Sequence, residues 1–106
     1  MSTSKEYLEF ILDGLSGISG ISYRQMMGEY IIYMNGRIAA YLCNDRMLVK
    51  PVPSALRLIP NAIYEPPYSG AKEMLLVDNV DDRVFLKELF EAMFDELPEP
   101  KKGKDK

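Results

Sequence analysis

Between Ile21 and Lys50 the chain is cut into four short segments by Gly28, Asn35-Gly36 and Asn44-Asp45. This punctuation constrains the fold more than any other feature. Asn-Gly favours a type I′ turn, because both turn positions need φ > 0, and Asn-Asp tolerates the same geometry. Residues 21–27, 29–34, 37–43 and 46–50 therefore read as strands, with Gly28 a bulge or tight turn. Strands joined this closely must run antiparallel, since a parallel pair needs a crossover of about a dozen residues or more.

The hairpins also assign faces. Two-residue loops at 35–36 and 44–45 pair Tyr33 with Ile38, Ile31 with Ala40 and Leu42 with Met47, and paired residues share a face. One face then holds Ile31, Tyr33, Ile38, Ala40, Leu42, Met47 and Val49 and is expected to carry the helices. The other holds Tyr30, Ile32, Met34, Arg37, Ala39, Tyr41, Cys43, Arg46, Leu48 and Lys50. A one-residue slip exchanges these sets.

Helices flank this meander. Thr3 and Glu6 have capping-box spacing. Leu8, Ile11, Leu12 and Leu15 follow on one stripe, which predicts a helix over about 4–15. Pro53 and Pro60 bracket a short helix at 53–59. A long connection at 61–72 leads to a strand at 73–77. A last helix starts at Asp81 or Asp82, with Phe85, Leu86, Leu89, Phe90, Met93 and Leu97 as its apolar stripe. The order α-β-β-β-β-α-β-α predicts an α+β two-layer domain over residues 1–97. Its antiparallel sheet has about five strands, with helices mainly on one face. Pro98 and Pro100 end the last helix, and 98–106 reads as a disordered Pro/Lys-rich tail.

Composition excludes several chemistries. With no histidine and one cysteine, Cys43, the chain cannot form a Ser-His-Asp or Cys-His nucleophile, a Cys/His zinc site or an internal disulfide. Neither GxGxxG nor GxxxxGK[ST] occurs. Asp78, Asp81 and Asp82 read as carboxylates at a helix start rather than a metal site, and Cys43 as an unreactive strand thiol. Met26, Met27, Met34, Met47, Met74 and Met93 suit either an adaptable binding surface or core filling, and because most sit in strands or on helical stripes they read as core filling. No catalytic, cofactor-binding or metal-binding residue is expected, and the protein is expected not to be an enzyme. Without an apolar run long enough to span a bilayer or a secretory pattern at its start, the chain is expected in the cytoplasm. Residues 1–97 carry nine Lys/Arg against fourteen Asp/Glu, a balance of −5, so the domain by itself is poorly suited to DNA.

What remains is surface. Tyr30, Ile32, Arg37, Tyr41, Arg46, Leu48 and Lys50 on the mixed sheet face form the candidate interaction surface, because Tyr and Arg are favoured at interface centres. The alternative is that residues 51–72 cover this face. Tyr64, Tyr68 and Lys72, on the Pro-stiffened connection, form a candidate contact loop.

Several runs, in order, resemble the TfoX (Sxy) N-terminal domain family. They are Tyr23-Arg-Gln-Met-Met-Gly-Glu-Tyr30, Tyr33-Met-Asn-Gly36, Leu48-Val-Lys-Pro51, Pro67-Tyr-Ser-Gly-Ala-Lys72 and Leu76-Val-Asp78. The resemblance covers about residues 4–97. It implies an antiparallel sheet flanked by helices, no catalytic residues, and a link to bacterial DNA-uptake competence. That link is transcriptional coactivation alongside the cyclic-AMP receptor protein. Full-length competence regulators carry a second, C-terminal domain where this chain has a lysine tail, so a stand-alone N-terminal-domain protein is expected. The expected function is a non-enzymatic regulatory domain that contacts a protein partner, such as the transcription machinery, or a second copy of itself. Direct DNA binding through the tail and Arg24, Arg37, Arg46 and Lys50 is the alternative. An enzyme or small-ligand protein is the third reading.

Overall fold

Three two-residue turns set the sheet. In the computed structural model, which describes residues 3–99, Met27-Gly28, Asn35-Gly36 and Asn44-Asp45 all have positive φ, the I′ geometry that matches the twist of antiparallel strands. They join β1 (Ile21–Met26), β2 (Glu29–Met34), β3 (Arg37–Cys43) and β4 (Arg46–Val49). After β4 the chain passes through α2 (Pro53–Leu58) and returns as β5 (Tyr64–Glu65) and β6 (Met74–Val77). The sheet is wholly antiparallel, in the order β1-β2-β3-β4-β6-β5. It has one strand more than expected. β5 was hidden in the 61–72 connection, where two residues before Pro66-Pro67 carry no periodicity. The fold is α+β, and no helix among the described residues is long and apolar enough to cross a membrane.

α1 (Lys5–Gly14) and α3 (Arg83–Met93), followed by a 3-10 turn at Phe94–Glu96, lie with α2 over one face. Leu8, Ile11 and Leu15 of the α1 region, Ala55 of α2, and Leu86, Leu89, Phe90 and Met93 of α3 share a single core. The sheet supplies Tyr30, Ile32, Met34, Ala40, Leu42, Met47, Val49, Leu75 and Val77 to it.

This corrects the face assignment of β2. The closing pairs Met34–Arg37 and Tyr33–Ile38 stand as expected, but the register then shifts to Ile32–Ala40, Ile31–Tyr41 and Tyr30–Leu42. β3 carries one extra residue, Ala39, a bulge that exchanges the faces of β2. Tyr30 and Ile32 thus lie beneath the helices, and Ile31 and Tyr33 on the far face. Two consecutive small residues, Ala39 and Ala40, both buried, accommodate the bulge. The gain is burial of Tyr30, Ile32 and Met34, three large side chains, against the helices.

Arg37 is corrected for the same reason. It shares the helical face with Met34, donates to the Phe94 and Leu97 carbonyls (3.1 and 3.3 Å), and lies 4.4 Å from the Phe94 ring centroid. A guanidinium on the last carbonyls of a helix is favourably placed.

Caps tie the helices down. Ser4, not Thr3, caps α1, its Oγ accepting from Tyr7 N–H at 3.1 Å. Thr3 is instead buried. Its N–H donates to Gly28 O (3.0 Å), and its hydroxyl lies 2.7 Å from Glu29 Oε1 and 2.9 Å from Leu42 O. Asp82 caps α3 by accepting from Phe85 N–H at 3.0 Å. That matches the expected carboxylate at this helix start.

α2 is capped from a distance. Glu96 accepts from Ser54 N–H (2.8 Å) and Ser54 Oγ–H (2.7 Å), and these bonds hold its carboxyl below the usual glutamate range. A depressed pKa stabilises the fold above the ordinary glutamate pKa, about 4.3, and the contribution is lost as pH falls through the folded value. Glu96→Gln is expected to melt below wild type at pH 7. The two melting temperatures should converge below about pH 4. Parallel curves across this range would show that the Ser54–Glu96 contact does not stabilise.

Candidate interaction surface

The face opposite the helices is built from alternate residues of four strands. Register places Ile31, Tyr41, Leu48 and Leu76 in one row across β2, β3, β4 and β6. Ile31, Cys43 and Met74 are buried on this face, and Leu48 is 0% exposed although no helix lies over it. The cover comes from the connection. Pro66-Pro67 stiffens the chain leaving β5, and the Tyr68 ring stands edge-on to Tyr41, centroids 6.3 Å apart at 60°. A turn closed by Ala71 N–H to Tyr68 O (3.1 Å), with Gly70 at φ 88°, leads back towards β6. Within the 51–72 connection, α2 thus packs on the helical side, and it is the segment around Pro67 and Tyr68 that covers the middle of this face.

The cover leaves two hollows, one on each side of the Tyr41–Tyr68 contact. The larger, about 640 Å³, opens towards the β1–β2 turn and is lined chiefly by Met26, Met27, Ile31, Tyr41, Cys43 and Tyr68. The smaller, about 310 Å³, lies beside Lys50 and Lys72. At the lip of the larger, the Glu29 carboxylate accepts from Asn44 N–H at 3.2 Å, so its charge is already partnered. Arg46 is ion-paired with Glu65.

The groups in the groove are neutral. Burial, then the Glu29 charge, push the Cys43 thiol up to about 11 despite Arg46. Burial, then neighbouring Tyr68, raise the Tyr41 hydroxyl. Neither supplies a nucleophile near neutral pH. Among the described residues no three His, Cys, Asp or Glu side chains gather as a metal site. Cys43 is expected to resist thiol reagents at pH 7–8 while the protein is folded and to react within minutes in denaturant. Fast native labelling would show an open or activated thiol.

The expected residues are thus divided. Tyr41, Arg46 and Leu48 lie on the far face as assigned, and Lys50 lines the smaller hollow. Tyr30, Ile32 and Arg37 lie on the helical side. Of the loop residues, Tyr68 closes over the sheet, Lys72 borders the smaller hollow, and Tyr64 is exposed in the edge strand β5.

Met26 and Met27 depart from the core-filling reading. Four of the six methionines weighed as core filling, Met34, Met47, Met74 and Met93, are buried, but Met27 is 93% exposed at φ 54°. The signal was available, because Met27-Gly28 sits between two strands as Asn35-Gly36 does.

No family model and no solved structure matches the chain. It is 29% identical over 107 residues to a Spirochaeta aurantia protein described as an uncharacterized 12.7 kDa protein in the trpE 5′ region. The alignment covers 100% of this chain and 93% of that protein.

Proposed function

We propose that this domain is a non-catalytic regulatory module that binds another protein by taking an apolar side chain into the groove between Met27 and Tyr68. One observation carries the reading. Met27 is a bulky residue in a left-handed turn position, which costs about 1–2 kcal/mol for an L-residue, and it exposes nearly its whole apolar side chain. Asn at this position would relieve both costs, as it does at Asn35 and Asn44. Residues that break local rules in this way concentrate where function requires them. Methionine suits an adaptable contact, and the groove behind it is apolar.

The resemblance to the TfoX N-terminal domain supports a partner in the transcription machinery, with the cyclic-AMP receptor protein the first to try. Direct DNA contact finds less support, because Arg37 is folded against a helix end and Arg46 is paired with Glu65. The test is affinity capture from the native cell with mass identification. Wild type and Val84→Glu, altered at an exposed position on α3, are expected to retain the same partner. Met27→Asn is expected to lose it. Tyr41→Glu is a poorer probe, since its carboxylate would lie beneath Tyr68.

A further inference from the structure

We propose that the free edge of β1 pairs antiparallel with β1 of a second copy of this chain, about a two-fold axis through Tyr23. Among the described residues β1 is the outermost strand at its end of the sheet and bonds only to β2, and five of its six residues are exposed. Edge strands in monomeric proteins are usually blunted by shortness, proline, charge or a bulge. The opposite edge has these devices. β5 is two residues long, Glu65 carries a paired charge, and Pro66 follows. β1 has no proline, no bulge and a single charge, Arg24.

The strand's own geometry selects the register. A two-residue loop at Met27-Gly28 is closed by a hydrogen-bonded pair, Met26–Glu29, so bonded pairs with β2 recur at Arg24–Ile31 and Ser22–Tyr33. The same parity continues at Gly20, whose carbonyl accepts from Asn35 N–H at 2.8 Å. Ile21, Tyr23 and Gln25 therefore aim their backbone N–H and C=O groups outward.

An axis at Tyr23 opposes Tyr23 to its own copy and Ile21 to Gln25 of the copy. Every outward-facing group then finds a partner, and Arg24 faces Ser22. An axis at Ser22 strands Gln25. An axis at Arg24 strands Ile21 and opposes two guanidinium groups. Only the Tyr23 register satisfies the whole edge without like charges opposite one another. Tyr23 also presents a half-exposed ring, edge-on to Tyr30 at 5.9 Å, to its counterpart. β1 carries no carboxylate, so two copies of an acidic domain meet with the least repulsion here. A single strand pair buries less than the roughly 1,200 Å² of a stable interface, so the dimer depends on concentration.

Sedimentation equilibrium of the wild-type chain is expected to show a mass rising from one chain towards two with concentration. Tyr23→Pro removes an N–H that β2 does not use, a substitution edge strands tolerate. It is expected to weaken the dimer at least tenfold with the fold retained. Cross-linking tests the register without touching the backbone. Opposed residues of a non-bonded antiparallel pair have Cα atoms about 4.5 Å apart, within disulfide reach. Under mild oxidation a mixture of Ser22→Cys and Arg24→Cys chains is expected to link position 22 to position 24. Each alone is expected to stay single. Three outcomes overturn the proposal. One is a wild-type chain that stays monomeric up to millimolar concentration, which leaves the edge to an extended segment of another protein. Another is a folded Tyr23→Pro chain that dimerises as wild type does. The third is cross-linking of either single variant as fast as the mixture.

Discussion

Phe90→Ala is expected to lower the unfolding free energy by about 3–5 kcal/mol. It lowers the melting temperature by roughly 15–30 °C for a domain of this size. Phe90 is 0% exposed near the middle of α3, in the core that joins α1, α2 and α3 to the sheet. Truncation removes the transfer energy of the ring and leaves a cavity, because close-packed neighbours relax only partly. The whole stability of such a domain is about 5–15 kcal/mol, so the variant should lie near the edge of folding. Phe10, on the exposed side of α1, gives the contrast. Phe10→Ala is expected to cost about 0.5 kcal/mol or less, as substitutions away from the core do. Comparable losses in thermal or urea unfolding would mean that the core is not organised around α3.

Met27→Asn is expected to move stability and binding in opposite directions. Asparagine tolerates left-handed backbone better than methionine, and turn optimisation of this kind gives about 0.5–1 kcal/mol, or a melting temperature higher by roughly 2–8 °C. The same change removes the flexible apolar arm at the mouth of the groove. Central contact residues cost about 2 kcal/mol or more on truncation, a loss of about thirtyfold or more in affinity. A residue retained only for folding cannot behave in this way.

Legibility in the sequence followed the range of the interaction that decides each element. The Asn35-Gly36 and Asn44-Asp45 turns, the stripe of α3 and the Asp82 cap depend on neighbours in sequence and stand where they were expected. The bulge at Ala39 depends on which side of β2 gains more from the helices, a comparison that no short window contains. Thr3 has the spacing of a cap, yet its hydroxyl is used by Glu29 and Leu42, distant in sequence. Arg37 looks like a surface cation in the sequence because nothing near it reveals that the end of α3 lies above it. The candidate surface was half legible. Tyr41, Leu48 and Tyr68 follow from alternation and from the proline-stiffened loop. Ile31 is hidden by the bulge, and Met27 by its place at the end of the 21–27 strand rather than in the turn with Gly28.

Whether Met27 is kept for contact rather than for folding is decided by wild type and Met27→Asn measured together. Melting temperature is measured on the purified chains, and partner capture from the native cell is measured in parallel. The variant is expected to melt higher and no longer to retain the partner. A variant that melts higher and captures the same partner equally well would contradict a contact role for Met27.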